Sequence, residues 1–255
     1  MLRKIIEETY RKIPESKVKV LLRNSISFTL HTFSLRKETV NINGEPIQVY
    51  KVPVYDNHHL AEEVSGYNKY YKLQKGDIVV DAGGYSGFFT MYAGKKVGST
   101  GKVIVFEPDP FNYTLLKKNI RLNKIRNAIV INKGLYSTNT TLPFDIQGIG
   151  STLVIKKGRK TNHAVPVVSL DNELERLRIK KVNFIKMDIE GGEIEAVKGC
   201  LRTIKNNKAL HFAIASYHVV NGKKTSIFLE QFFKKIRMKV KTLQTEHPTT
   251  YAWKE

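Results

Sequence analysis

Asp77-Ile-Val-Val-Asp81-Ala-Gly-Gly-Tyr-Ser-Gly87 is the stretch that decides the fold. An apolar, β-branched run closed by an acid and three glycines reads as a short buried strand turning sharply into a helix, here expected over about 87–96. Working outward, the pattern recurs. Strands are expected at 102–107, 127–132, 182–188 and 210–215, with helices at 110–123, where Pro110 takes the first helical position, and at 193–205. Strands separated by helices build a parallel sheet with helices on both faces. The ending differs. Segments 238–243 and 249–253 are strand-like, and the link from Gln244 to Pro248 is too short for a crossover, so these two pair antiparallel.

Two regions stand outside the alternation. Residues 1–75 read as an N-terminal cap holding a basic amphipathic helix, a hairpin and a Tyr-rich helix, ahead of the main domain at 76–255. Asn43-Gly44, between 38–42 and 47–54, is the hairpin signal. Tyr67, Tyr70 and Tyr71 are either packing for this cap or stacking surfaces for a ring substrate. An insert at 137–171 is expected to form short strands near 141–144, 151–155 and 165–170.

With 255 residues, 41% hydrophobic and 26% charged, the chain can bury one large α/β core, and it lacks the composition of a disordered protein. No run of 18 apolar residues is present, which argues against a membrane span. Met1–Tyr10 is too charged for a signal peptide, and the lone Cys200 allows no internal disulfide. The expectation is a cytoplasmic protein. A net charge of +20 suits an anionic partner such as nucleic acid or an acidic glycan, or is simply a lysine-rich surface. The lysines are scattered, so charge alone names no partner.

In a parallel sheet of this kind, ligands bind at the carboxyl ends of the strands. Those ends are Asp81, Glu107, Gly134, Asp188 and Ser216, three of the five acidic in a strongly basic chain. The turn after Asp81 is neither a dinucleotide fingerprint nor a phosphate-binding loop. A carboxylate there would repel a pyrophosphate and welcome an ammonium or sulfonium group. Glu107, twenty residues beyond Gly87, is placed to accept hydrogen bonds from a ribose diol. A nucleoside without phosphates, joined to a cationic amino-acid end, describes S-adenosylmethionine. The cofactor-binding set is then Asp81, Gly83, Tyr85, Gly87, Glu107, Pro108, Gly134, Leu135 and Asp188.

Val80–Gly87, Phe106-Glu-Pro-Asp-Pro110, Ser169-Leu-Asp171 and Phe184-Ile-Lys-Met-Asp-Ile-Glu-Gly-Gly-Glu193 together resemble the ordered motifs of the FkbM-type S-adenosylmethionine-dependent methyltransferases, over roughly residues 60–218. The resemblance implies the Rossmann-like class I methyltransferase fold, a seven-stranded sheet whose last strand is antiparallel. It also implies O-methylation of a hydroxyl on a sugar, a glycan or a small metabolite. Gly84-Tyr85 stands where such proteins usually carry Ala-Asn, and Ser216-Tyr217-His218 where they often carry Glu-x-His.

Asp188 and Glu190 are expected to orient the reacting hydroxyl or accept its proton, with His218 as the general base and Tyr217 as the alternative contact. Asp188, Glu190 and His218 could together hold a metal, although none is expected. Glu193 is expected only to complement a helix dipole, His58 and His59 to decorate the surface, and Cys200 to fill the core. Two rival readings are an RNA methyltransferase and a nucleic-acid-binding protein on an inactive scaffold. No Asn/Asp-Pro-Pro-aromatic motif or RNA-binding module supports either.

Overall fold

The computed structural model describes residues 37–50, 57–146, 150–153, 161, 163–244 and 247–254. The amphipathic helix expected before the hairpin, residues 51–54 and the strand positions 154–155 lie outside them. β1 (Lys37–Ile42) and β2 (Glu45–Tyr50) form the hairpin anticipated at Asn43-Gly44. Both turn residues are left-handed, at φ 49° and 84°, as a two-residue turn matched to strand twist demands.

The chain continues through α1 (Asn57–Gly66), β3 (Ile78–Ala82), α2 (Phe88–Val97), β4 (Lys102–Phe106), α3 (Pro110–Leu122) and β5 (Ala128–Ile131). Next come β6 (Gly134–Leu135), then β7 (Thr140–Pro143) and β8 (Ala164–Val168) within the insert, and α4 (Leu170–Arg176) at its end. Then come β9 (Phe184–Met187), α5 (Glu193–Lys198), α6 (Leu201–Asn206), β10 (His211–Ala215), the pair β11 (Val219–Val220) and β12 (Lys223–Lys224), α7 (Thr225–Lys235), β13 (Lys239–Leu243) and β14 (Thr249–Trp253).

Seven strands make the main sheet in the order β13-β14-β10-β9-β3-β4-β5. β14 inserts between β10 and β13 and runs antiparallel to both, whereas β5, β4, β3, β9 and β10 are parallel. The order reverses between β3 and β9, so the carboxyl ends of these two strands border the crevice that such sheets use for ligands. β6, β8 and β7 form a separate three-stranded sheet, and Ser151–Leu153 contributes only a bridge between Thr152 and Asp145.

Alternate strand residues feed two cores, as a period of two requires. Val80, Ile104, Ile185 and Phe212 face α5, α6 and α7, while Val79, Val103, Phe184 and Ala213 face α2 and α3. Val40, Ile42, Ile47, Val49 and Ala61 share that second core, so the hairpin and α1 pack as part of the domain. The hairpin edge is also tied down by Gln48 N–H to Asn123 Oδ1, 2.9 Å, and Tyr50 N–H to Asn119 Oδ1, 3.0 Å.

Two expectations need correction. The helix expected at 193–205 is two helices, because Gly199 passes the Tyr136 carbonyl so closely that a Cβ there would lie 2.2 Å from it. Cys200 therefore sits between helices, fully buried, with its Sγ 3.1 Å from the Ala196 carbonyl. Likewise Tyr67, Tyr70 and Tyr71 follow α1 rather than lying in it. Tertiary contacts hold them: Tyr70 stacks on Trp253 and Tyr71 on Phe184. None of the helices in the described residues is long and apolar enough to cross a membrane.

Candidate active site

A cleft opens at the carboxyl ends of β3, β4 and β9. Gly83, Gly84 and Tyr85 form one wall, Glu107 and Pro108 the next, Gly134 and Leu135 a third, and Asp188, Ile189 and Glu190 the far end. Glu63 and Tyr67 close it from the cap side, with Tyr217 beside them. Seven of the nine expected cofactor residues thus line one cavity.

Glu107 stands just past β4, only 4% exposed. Its Oε2 accepts from Tyr85 N–H at 2.7 Å and its Oε1 from Asp109 N–H at 2.9 Å. Two N–H donors leave a carboxylate with lone pairs for a diol. Burial, with Asp109 nearby, pushes its pKa up from 4.5 to about 8. The following turn is well made: Asp109 caps α3 through Phe111 N–H, with Pro110 at the first helical position as expected.

Asp81 and Gly87 are the two exceptions. Asp81 is fully buried beneath the turn. It takes a hydrogen bond from Thr90 Oγ1 at 2.5 Å and an ion pair from Lys186 Nζ at 3.2 Å. It does not line the cleft, because an isolated buried carboxylate needs these partners more than it needs a ligand. Gly87, at φ 94°, is required by packing: a Cβ there would lie 2.7 Å from Leu116 Cδ1. Gly83 is more constrained still. At φ 80°, its Cβ would lie 1.9 Å from the Asp188 carbonyl oxygen, so this glycine lets the β9 turn approach the β3 turn.

Lys186, buried within β9, donates to Gly83 O at 2.7 Å besides pairing with Asp81. Burial opposes its charge, but Asp81, Asp188 and Glu63 outweigh this and raise its pKa. Asp188 lines the cleft, and its Oδ2 accepts from Tyr67 Oη at 3.0 Å, so one of the three tyrosines does reach the site. Glu63 also faces the cleft, its pKa raised by burial and by Asp188.

His218, the expected base, stands back from the cleft lining. Its side chain is 9% exposed and does not line the cleft. Nδ1 lies 3.0 Å from Glu193 Oε1, and Nε2 lies 3.5 Å from Glu190 Oε2 and 3.8 Å from Asp188 Oδ1. Burial disfavours the cation, but Glu193, Glu190 and Asp188 outweigh it and raise the pKa to about 11. A ring held as imidazolium is a poor proton acceptor at neutral pH. Glu193 is likewise more than a helix-dipole residue. It is fully buried, and its Oε1 accepts from Ile189 N–H at 3.0 Å and Gly191 N–H at 3.3 Å, bracing the turn that carries Glu190. His58 and His59 open α1, His58 pairing with Glu38 at 3.3 Å.

Lys186 and Glu63 are the site residues that sequence reasoning passed over, while Glu193 and Tyr67 were given other roles. A lysine inside an otherwise apolar strand was a usable signal for the first. Nothing local marks Glu63, which reaches the cleft only because α1 folds back across it.

The comparisons agree with this geometry. A methyltransferase of Sordaria araneosa, sdnD, is 29% identical over 161 residues, covering 50% of this chain and 61% of its own length. Hexuronic acid methyltransferase AglP of Haloferax volcanii is 24% identical over 147 residues, 58% of each chain. The chain spans about three fifths of the length of the curated relatives it matches. Among solved structures, methyltransferase FkbM of Methylobacillus flagellatus superposes with a TM-score of 0.56 at 20% identity, covering 77% of this chain and 52% of that one. Precorrin-6y C5,15-methyltransferase of Geobacter metallireducens gives 0.50 at 13%, covering 76% and 89%. These likenesses carry the Rossmann-like class I methyltransferase fold. The Methyltransferase FkbM domain profile matches residues 81–245, from the β3 turn through β13, and on that match the chain belongs to the FkbM methyltransferase family.

Proposed function

We propose that this chain uses S-adenosylmethionine to methylate a hydroxyl on a sugar, a glycan or a small metabolite. One observation carries the reading: a single cleft is lined by Glu107, just past β4, and by Asp188 with Glu190, just past β9, on either side of β3. Glu107 would accept hydrogen bonds from the ribose hydroxyls, while Tyr85, Pro108, Gly134 and Leu135 would enclose the nucleoside. The acids at the far end would favour the sulfonium. Asp81 would act indirectly, through Lys186 and the turn it holds.

Methyl transfer is an in-line displacement. The acceptor oxygen bonds to the methyl carbon, the carbon–sulfur pair passes to sulfur, and the hydroxyl proton must leave. Asp188 and Glu190 are placed to orient the hydroxyl. Glu63, made more basic by burial and facing the same cleft, is placed to receive the proton. His218 is a positioning residue behind the two acids.

A relative named for hexuronic acid methylation supports a sugar acceptor. The acidity of the cleft weighs against threading a polyanion through it, despite the net charge of +20. Calorimetric titration with S-adenosylmethionine and its demethylated product, followed by methyl transfer to a panel of glycans, small polyols and RNAs, tests the proposal. Binding followed by transfer to a carbohydrate or polyol hydroxyl is the expected result. Absence of cofactor binding would point to an inactive scaffold, and transfer to RNA alone would replace the acceptor class.

A further inference from the structure

We infer that Asp188, Glu190 and His218 form a divalent-cation site at the acceptor end of the cleft. The binding of the ion stands on geometry alone; only its role in catalysis rests on the function proposed above.

One ligand atom from each of the three residues lies within 4.8 Å of the others. His218 Nε2 is 3.5 Å from Glu190 Oε2 and 3.8 Å from Asp188 Oδ1. Such separations are long for hydrogen bonds. Two ligands of one ion, each about 2.1 Å from it, stand roughly 3.0–3.4 Å apart at octahedral or tetrahedral angles. The two His218 distances need shorten by no more than a few tenths of an ångström, and the two carboxylates must draw together from within 4.8 Å, to close the site around a cation.

The unsatisfied atoms point to the same place. Neither ring nitrogen of His218 makes a hydrogen bond of good geometry, although the side chain is only 9% exposed. Asp188 Oδ1 is also buried without a hydrogen-bond partner, while Oδ2 is occupied by Tyr67. Buried polar atoms are seldom left so, and several around one point call for a missing partner. Behind the ring, Glu193 Oε1 lies 3.0 Å from Nδ1. An acid at that distance would accept Nδ1–H after a small rotation of the ring and so leave the Nε2 lone pair to the metal. Glu190 adopts φ 55°, a left-handed conformation uncommon outside glycine, and backbone outliers of this kind cluster at functional sites.

The ligand set is two carboxylate oxygens and one imidazole nitrogen, with no sulfur, which suits manganese, magnesium or zinc rather than a soft ion. The proton that the acids hold on His218 and a divalent cation are alternatives for the same negative charge. Asp188 and Glu190 line the cleft, so the remaining coordination positions face the acceptor. A hydroxyl bound there would ionise more readily, its proton passing to Glu63 or water as its oxygen attacks the methyl carbon.

Manganese(II) is the probe, titrated into the full chain without acceptor and followed by electron paramagnetic resonance. One saturable site per chain is expected, with ¹⁴N coupling from His218 in the pulsed spectrum. Glu190→Gln and His218→Gln should each weaken binding at least tenfold, whereas Glu230→Gln, on the exposed face of α7, should leave it unchanged. The wild-type nitrogen coupling needs no variant, so the test survives a substitution that unfolds the protein. No saturable binding, binding without nitrogen coupling, or binding indifferent to both substitutions would overturn the site. Cofactor titration alongside separates the two proposals: a chain that binds S-adenosylmethionine but not manganese loses this site alone. One that binds manganese but not the cofactor keeps the site and loses the proposed function.

Discussion

The turns after β3 and β9 look alike in the chain and behave differently in the fold. Each begins with an aspartate at the end of a buried strand and passes through two adjacent glycines, Gly83-Gly84 in one and Gly191-Gly192 in the other. In the first, Asp81 is satisfied from inside the protein by Thr90 and Lys186. In the second, Asp188 has one oxygen on Tyr67 and the other 3.8 Å from His218 Nε2, and it faces the cleft. An acid at a strand end is therefore not by itself a ligand group. What decides is whether the neighbouring strand brings a cation, and β9 brings Lys186 to the β3 turn.

The sharpest way to break this contrast is to remove that cation. Lys186→Met leaves Asp81 buried and unpaired, and a loss of about 3–5 kcal/mol is expected in denaturant unfolding. Adding Asp81→Asn should recover part of it, the coupling a double-mutant cycle measures. If Lys186→Met unfolds at the wild-type midpoint, the internal neutralisation of Asp81 is refuted.

The contact between the two turns comes next. Gly83→Ala forces a left-handed alanine against the Asp188 carbonyl, and should cost about 2–4 kcal/mol while disturbing both turns together. Unchanged stability would mean that the two turns are not held in register there.

Glu107 tests the cofactor end of the cleft. Glu107→Ala should weaken S-adenosylmethionine binding by about 1.5–3 kcal/mol in calorimetry. Because its pKa in the folded protein is about 8 against an ordinary 4.5, cofactor affinity should rise with pH through 8 and then level off. Glu107→Gln should flatten that profile. The sign for unliganded stability is the reverse. Between 4.5 and about 8 the folded chain holds a proton that the unfolded chain releases, so this group's contribution is full below 4.5 and is lost as pH rises through 8.

Tyr67→Phe is the smallest of the four. It removes one hydrogen bond to Asp188 Oδ2 and should cost about 0.5–1.5 kcal/mol in stability. An equal loss in an Asp188→Ala background would show that the bond contributes nothing.

The sheet was legible because its strands carry their own period and their own stops. Ile78–Ala82, Lys102–Phe106 and His211–Ala215 are apolar runs ended by an acid, a proline turn or a polar residue, and short connections force the last pair to run antiparallel. The Asn43-Gly44 hairpin and the Pro110 helix start are equally local, set by which backbone angles those residues allow. Glu107 and Asp188 could be placed because a strand end fixes where its last side chain emerges.

Only the tertiary structure decided what those side chains meet. The break at Gly199 depends on the Tyr136 carbonyl, sixty-three residues earlier in the chain, and the non-helical tyrosines depend on Trp253 and Phe184. Asp81 and Asp188, both expected at the cofactor, part company because Thr90 and Lys186 enclose the first while the second lines the cleft. Glu193, Glu190 and Asp188 converge on His218, burying it and raising its pKa to about 11, which no local feature of the chain foretells. Charge state, burial and partner are properties of neighbours in space, and the same residue type reads as ligand, brace or core filler until those neighbours are known.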